Sequence, residues 1–440
     1  MTDLLAQPFT LPCGATLPNR LCKAAMTEGL ADSWLRATPE LATLYRRWSE
    51  GGAGLLLTGN VQIDRNVLER PGNVAIDRND GIKQLKAWAK AGTVAGNHLW
   101  MQISHAGRQS PRYITNHTLA PSSVRLPLLG NYATPRELRE DEILDFIQRF
   151  AHAAATARAT GFTGVQIHSA HGYLLSSFLS PVTNMRRDAW GGSVQNRARF
   201  LIETLRATRK AVGADFPISV KLNSDDFRKG GFSNEDCLQV VQLLNTEGVD
   251  LLEISGGTYE QPKLLGFEGR GSSAEPQRQT TRKREAYFLD YAEKIRKVAK
   301  MPLMVTGGFR TREGMEEALR DNACDVIGLG RPFCTQTDFA KRLLAHEINE
   351  APRFEKTVKL GQSRWLSGAS PIFFIKIMNL LGQQGWYYQQ IMRLGHGLAP
   401  DEGRGTLKAL VLYFWDELTT AARMRKARRQ LDAGVVPPNG

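Results

Sequence analysis

Short runs rich in Val, Ile and Leu recur along the chain, few of them alternating cleanly with polar residues, each ending near Gly, Ser, Thr or His. They are Arg20–Ala25, Gly54–Thr58, Leu99–Ser104, Gly164–His168, Ile218–Leu222, Asp250–Ser255, Leu303–Thr306 and Asp325–Leu329. Apolar runs without alternation suit strands covered on both faces, as in parallel sheets. Between them the pattern turns helical and predicts helices over Pro39–Glu50, Asp80–Gly96, Glu142–Gly161, Asn196–Val212, Asn234–Gly248, Glu285–Lys300, Thr311–Asp321 and Asp338–His346. Gly96, Gly161, Gly213 and Gly248 stand where helix stops belong. Eight strand–helix repeats predict an α/β fold, a (β/α)8 TIM barrel, whose active sites gather at the C-terminal ends of the strands. An open doubly wound sheet would need a Gly-x-Gly-x-x-Gly turn after an early strand, and the sequence has none.

Two connections, Gly107–Asp141 and Gly256–Arg284, exceed ordinary loop lengths and are expected to form lids over the catalytic face. The repeat stops near residue 350, so the expected organisation is a barrel over 1–350 and a helical extension of undefined role over 351–440. In that extension Pro371–Leu381 and Thr406–Leu431 read as helices, the first strongly apolar and the second ending in the basic run RMRKARR (Arg423–Arg429). Capping of the barrel is the favoured reading. Pairing with another subunit, a homo-oligomer, and contact with a membrane surface are the alternatives.

Composition narrows the class. With 42% apolar and 23% charged residues over 440 positions the chain is globular. No run is long enough to span a bilayer, and the first residues, MTDLLAQPFTLPCG, do not read as a signal peptide, so a cytoplasmic protein is expected. Five scattered cysteines (Cys13, Cys22, Cys237, Cys324, Cys334) form no Cys-x-x-Cys pair, which argues against a disulfide framework, a zinc ribbon or a cysteine-held cluster. The net charge of +13 invites anionic partners. The basic clusters, Arg282–Arg284 and Arg423–Arg429, lack the aromatic interleaving of a nucleic-acid module, and a solvated face explains them better.

Polar residues just past each strand carry the candidate chemistry. Gly307 and Gly308 after strand seven, with Gly330 and Arg331 after strand eight, are what a barrel phosphate site needs: glycines that let backbone N–H groups approach, and a cationic fork. Gln102 offers a donor and an acceptor suited to the edge of a pyrimidine-like ring. Lys221 offers a fixed cation for charge developing on it, although an ion pair to Asp225, Asp226 or Glu253 would account for it equally well. In the stretch IHSAHGYLLSSFLSP (Ile167–Pro181), His168 and His171 lack the further ligands zinc requires, so no metal is expected. Two neutral imidazoles donating to one oxygen would polarise a carbonyl, and Tyr173 is placed to act as a general acid.

These residues resemble the Old Yellow Enzyme family of FMN-dependent NAD(P)H oxidoreductases, particularly its enoate-reductase and dienoyl-CoA-reductase-like branches. The resemblance covers about residues 5–345 and rests on LPNRLCKAAMTEG, MQISHAGRQS, GVQIHSAHGYLLSSFLSPVTNMRRDAWGGSVQNRARF, VTGGFRT and IGLGRPF, in that order. It implies that Ala25, Met26 and Thr27 line the flavin, with Thr27 able to tune its potential. It further implies that Gly59 and Gln102 bind the isoalloxazine ring, that Lys221 sits near its N1 and O2 edge, and that Gly307, Gly308, Gly330 and Arg331 hold the phosphate.

His168 and His171 would then bind the activating oxygen of a small α,β-unsaturated carbonyl compound, with Tyr173 as proton donor and flavin N5 as hydride donor. Lys221 stands where an arginine is more usual, which keeps the charge and loses the planar fork. The iron–sulfur cysteines and extra nucleotide domain of the larger relatives are absent, so electrons are expected directly from NADH or NADPH. An oxidative FMN dehydrogenase or demethylase is the main alternative. A flavin-dependent RNA-modifying enzyme is the weaker one, because no cysteine lies at a matching lid position.

Overall fold

The computed structural model describes residues 3–77, 81–128, 130–257 and 289–437. The predicted strands form as β1 (Leu21–Lys23), β2 (Leu55–Leu57), β3 (His98–Ser104), β4 (Gly164–Ser169), β5 (Ile218–Asn223), β6 (Leu251–Ser255), β7 (Leu303–Thr306) and β8 (Val326–Leu329). They pair in chain order, all parallel, and β8 returns to β1 to close the barrel.

Strand parity decides what fills that barrel. Leu99, Met101 and Ile103 of β3 join the layer under the helices, as do Val165 and Ile167 of β4, and Ile218, Val220 and Leu222 of β5. The opposite parity packs inward as a separate apolar floor that includes Cys22, Leu55, Trp100, Leu251, Met304 and Val326. Gly164 makes room for Trp100: a Cβ there would lie 2.5 Å from the indole. A short hairpin, Phe9–Thr10 with Thr16–Leu17, closes over this floor with Leu11 and Leu17. Above the floor the same parity turns polar and presents Gln102, Gln166, His168, Ser219, Lys221, Asn223, Glu253 and Ser255.

The barrel helices are α1 (Pro39–Glu50), α2 (Ile82–Ala91), α3 (Glu140–Thr160), α4 (Val194–Val212), α5 (Asn234–Leu244), α6 (Leu289–Arg296), α7 (Arg312–Arg320) and α8 (Phe339–Leu344). Their starts follow capping chemistry. Thr38 accepts from Leu41 N–H, Ser193 from Asn196 and Thr311 from Gly314, while Ser233 and Asp236 form a reciprocal box. Most of the expected lid Gly256–Arg284, and the beginning of the predicted helix Glu285–Lys300, lie outside the described residues. The other long connection, Gly107–Asp141, carries a 3-10 turn (Gly107–Gln109) and a short strand pair, Leu119–Ala120 with Arg136–Glu137.

Beyond the barrel, α9 (Phe373–Gly395) and α10 (Thr406–Asp432) follow. The first is longer than the predicted Pro371–Leu381, which stops short of Gly382 and Gly385. Those glycines lie inside the helix because α10 crosses there. A Cβ on Gly382 would lie 2.5 Å from Thr406 Cγ2, and one on Gly385 2.8 Å from Tyr413 Cβ.

This helical pair is fastened to α1 and to loops at the barrel mouth. Arg47 donates to Leu394 O and Leu398 O. Arg70, in the loop after β2, pairs with Glu417 of α10 at 2.6 Å, both side chains at most 7% exposed, and Tyr113 donates to the other Glu417 oxygen at 2.9 Å. Tyr388 lies under the Arg70 guanidinium and stacks on Tyr413. Glu417→Ala strands a buried cation and is expected to cost roughly 3–5 kcal/mol, while Arg70→Met with Glu417→Leu recovers most of that. Urea unfolding of the two variants checks it, and a loss well under about 1 kcal/mol for Glu417→Ala would show the pair to be dispensable.

Candidate active site

His168 is the penultimate residue of β4, inward by parity and 3% exposed. Its Nδ1 accepts the Ala170 N–H at 3.2 Å, so in the neutral ring the proton sits on Nε2, which has no protein partner among the described residues. His171 follows in a left-handed conformation, φ 62°, a region that costs a non-glycine residue energy unless its surroundings enforce it. Asn223 Oδ1 accepts its N–H at 3.1 Å and Gln109 Nε2 donates to its carbonyl at 2.9 Å, so β5 and the β3 loop hold the strained peptide from both sides. Its ring Nε2 meets Ser255 Oγ at 2.6 Å. The His168 ring lies 5.2 Å from His171 and 4.8 Å from Tyr173, edge to face in both cases. Tyr173 is 3% exposed and precedes the short helix Leu174–Leu179.

Burial, and the Lys221 ammonium, push both imidazoles well below their ordinary value of 6.5; His168 is lowered further by His171. Protons therefore bind the unfolded chain first as pH falls. The stability contributed by neutral burial is complete above 6.5 and drains as pH drops toward the folded values. The urea midpoint is expected to fall on acidification from about pH 6.5 to about pH 5, and more gently in a His168→Asn/His171→Asn double variant. Equal slopes would contradict neutral burial.

Beneath this triplet a polar chain crosses the barrel. Gln102 Nε2 donates to Gln166 Oε1 at 2.7 Å, and Gln166 Nε2 donates to Glu253 Oε2 at 2.8 Å and to Ser219 Oγ at 3.1 Å. Glu253 Oε1 lies 2.9 Å from Lys221 Nζ. The acid facing Lys221 is thus Glu253. Strand register explains it, since Lys221 is level with both His168 and Glu253.

On the opposite wall, Ala25, Met26 and Thr27 leave β1 beside the ends of β2 and β8. A Cβ on Gly59 would come within 2.6 Å of Met26 O and 2.8 Å of Thr27 Cα, so this close approach requires glycine. Met26 Sδ lies 3.5 Å from Cys334 Sγ and from the Cβ position of Gly330. Thr27 donates its hydroxyl to Glu69 at 2.9 Å. Glu28 accepts from Gly59 N–H at 2.9 Å and from Tyr45 OH, and Tyr45 meets fully buried Lys23, which burial lowers to about 8.

Gly307 and Gly308 have φ of 108° and 91°. The pairing of Thr306 with Gly328 sets their turn next to Gly330 and Arg331. Thr306 Oγ1 at that turn is buried without a hydrogen-bond partner among the described residues. The Arg331 side chain is about half exposed (45%) and its nearest acid is Glu355 at 3.8 Å.

Glu28, Glu69 and Gln166 were not singled out by sequence reasoning, and Glu253 entered it only as one of three possible partners of Lys221. Parity on β4 was the available signal for Gln166. Nothing local marks Glu69.

A parallel barrel with glycine turns after β7 and β8, a buried amide and a lysine at its centre, and a His–His–Tyr cluster at its mouth gathers groups suited to a phosphate-bearing cofactor beside a polar substrate. Comparison with known proteins makes the class specific. The NADH:flavin oxidoreductase / NADH oxidase family matches residues 4–350. An NADH-dependent flavin oxidoreductase of Hypocrea jecorina (strain QM6a) is 37% identical over 391 residues, 83% of this chain and 95% of that one. An NADPH dehydrogenase of Bacillus pumilus (strain SAFR-032) is 31% identical over 360 residues, 80% of this chain and 98% of that one. Among solved structures, an old yellow enzyme homologue from Zymomonas mobilis superposes with a TM-score of 0.68 at 26% identity, covering 84% of this chain and 99% of that one. A 2-naphthoyl-CoA reductase complex gives 0.72 at 26% identity over 80% of this chain and 54% of that one. The chain belongs to the NADH:flavin oxidoreductase family, that of Old Yellow Enzyme, and is an FMN-dependent NAD(P)H oxidoreductase.

The residues fit FMN. Positive-φ glycines and the unpartnered Thr306 hydroxyl stand ready for an anionic group, and among the described residues the Gln102 side chain hydrogen-bonds through its Nε2, which leaves Oε1 to accept from a ligand. The five cysteines are free, four of them buried, and among the described residues no cluster of His, Cys, Asp or Glu could hold a metal.

Proposed function

We propose that this protein reduces the activated C=C bond of α,β-unsaturated carbonyl compounds, and that the residues above divide the work. FMN, when bound, supplies hydride transfer from NADH or NADPH to the acceptor. Gly307, Gly308, Gly330 and Arg331 would hold its phosphate, Ala25, Met26, Thr27, Gly59 and Gln102 its ring, and Lys221 would balance negative charge on the pyrimidine edge.

The observation that carries the reading is the His168 tautomer. Ala170 N–H occupies Nδ1, so His168 offers Nε2–H as a donor and offers no base there. His171 would add a second neutral donor through Nδ1–H, with its Nε2 accepting from the Ser255 hydroxyl. Two such donors on a carbonyl oxygen stabilise the charge that develops there as hydride reaches the β-carbon. Tyr173, in ring contact with His168, would give its proton to the α-carbon and be reprotonated by water.

The test is an anaerobic visible spectrum of the flavin-loaded protein, titrated with NADH and then with 2-cyclohexenone. Bleaching followed by return of the yellow colour, with cyclohexanone as product, is expected. Bleaching that the enone does not reverse would overturn the acceptor class.

A further inference from the structure

The outward face of α10 changes character along its length. Leu407, Val411, Phe414, Trp415 and Leu418 recur at three- and four-residue spacing and are 42–68% exposed, a stripe of about 16 Å. The same stripe continues through Ala422 into Arg425, Lys426 and Arg429, all exposed. From Leu407 to Arg429 it contains no acid, and exposed Asp432 follows at the helix end. Asp416 and Glu417 are turned inward, onto Gln389 at 2.6 Å and onto Arg70. Contacts of α9 with α10 advance together, Gly382 with Thr406, Gly385 with Ala409 and Gln389 with Asp416, so the helices run in the same direction. Phe373 and Phe374, 70% and 64% exposed, therefore sit at the apolar end of the cap.

A monomer seldom shows solvent so large an array of aromatic and aliphatic side chains. We propose that this face docks the protein on an anionic lipid surface. Trp415, Phe414 and Leu418 would enter at headgroup depth, and Arg425, Lys426 and Arg429 would lie on the phosphates. The charge pattern selects this occupant. A second copy pressed on the apolar half would leave the basic half unused and bring together two chains of net charge +13, whereas anionic lipid engages both halves. Among the described residues no helix is long and apolar enough to cross a membrane, so the contact is with the surface. The proposal does not depend on which acceptor the barrel reduces.

The 440-residue, flavin-loaded protein is sedimented with phosphatidylcholine vesicles, with or without phosphatidylglycerol, at low and high salt. Sedimentation with the anionic vesicles alone, reversed by salt, is expected. Each neutralised charge is expected to weaken binding about fivefold, so Arg425→Gln/Lys426→Gln/Arg429→Gln loses roughly a hundredfold. Trp415→Ser/Leu418→Ser is expected to abolish sedimentation while keeping NADH oxidation, which shows that the variant is folded. No vesicle binding by a monomer would overturn the proposal. So would a dimer in sedimentation velocity that Trp415→Ser/Leu418→Ser disperses, since the face would then be a self-interface.

Discussion

Tyr173→Phe is expected to slow reoxidation by an enone by roughly 10²–10⁴-fold, the range for removing a positioned general acid, while NADH bleaches the flavin at the wild-type rate. The substitution removes one oxygen from a side chain that is 3% exposed and keeps its ring against His168 at 4.8 Å. Stopped-flow spectroscopy separates the two half-reactions. A Tyr173→Phe enzyme that reoxidises at full speed would remove Tyr173 from the chemistry and leave solvent as the proton source. Equal slowing of both halves would point to a damaged site instead.

Glu253→Ala is expected to cost roughly 3–5 kcal/mol, because it leaves the Lys221 ammonium buried and unpaired. Lys221 Nζ lies 2.9 Å from Glu253 with side-chain exposures of 6% and 0%, and the same carboxylate accepts from Gln166. Replacing both charged residues, as Lys221→Met/Glu253→Leu, should restore much of the stability but not flavin retention. Urea unfolding with flavin absorbance read in parallel distinguishes the two effects. A Glu253→Ala protein as stable as wild type would mean that water satisfies Lys221 and the chain across the barrel is not structural.

The barrel was legible because parallel strands covered on both faces leave uninterrupted apolar runs, and all eight appear where those runs lie. Helix ends were less legible. α9 runs through Gly382 and Gly385 because another helix needs the space, a fact held by Thr406 and Tyr413 and invisible locally. The His168–His171–Tyr173 cluster could be read as a unit because its members are neighbours in sequence. The partners that orient it could not: Asn223 and Ser255 end β5 and β6, Gln109 lies in the loop after β3, and only the fold brings them together. Lys221 shows the limit most clearly. Its sequence offered three candidate acids, and the pairing of β5 with β6 puts Glu253 level with it. The domain boundary near 350 is a matter of pattern alone; Arg47, Arg70 and Tyr113 tie the two parts together.

The left-handed peptide at His171 also narrows the alphabet that position can use. At φ 62° most side chains pay for the crowding of Cβ against their own backbone, and β-branched residues pay most. Glycine escapes that penalty but brings no donor. Among residues that tolerate the conformation, asparagine alone pairs it with an uncharged N–H donor on a short, stiff stem. A randomised library at this codon, selected for turnover, should therefore collapse onto two letters, the histidine already present and asparagine.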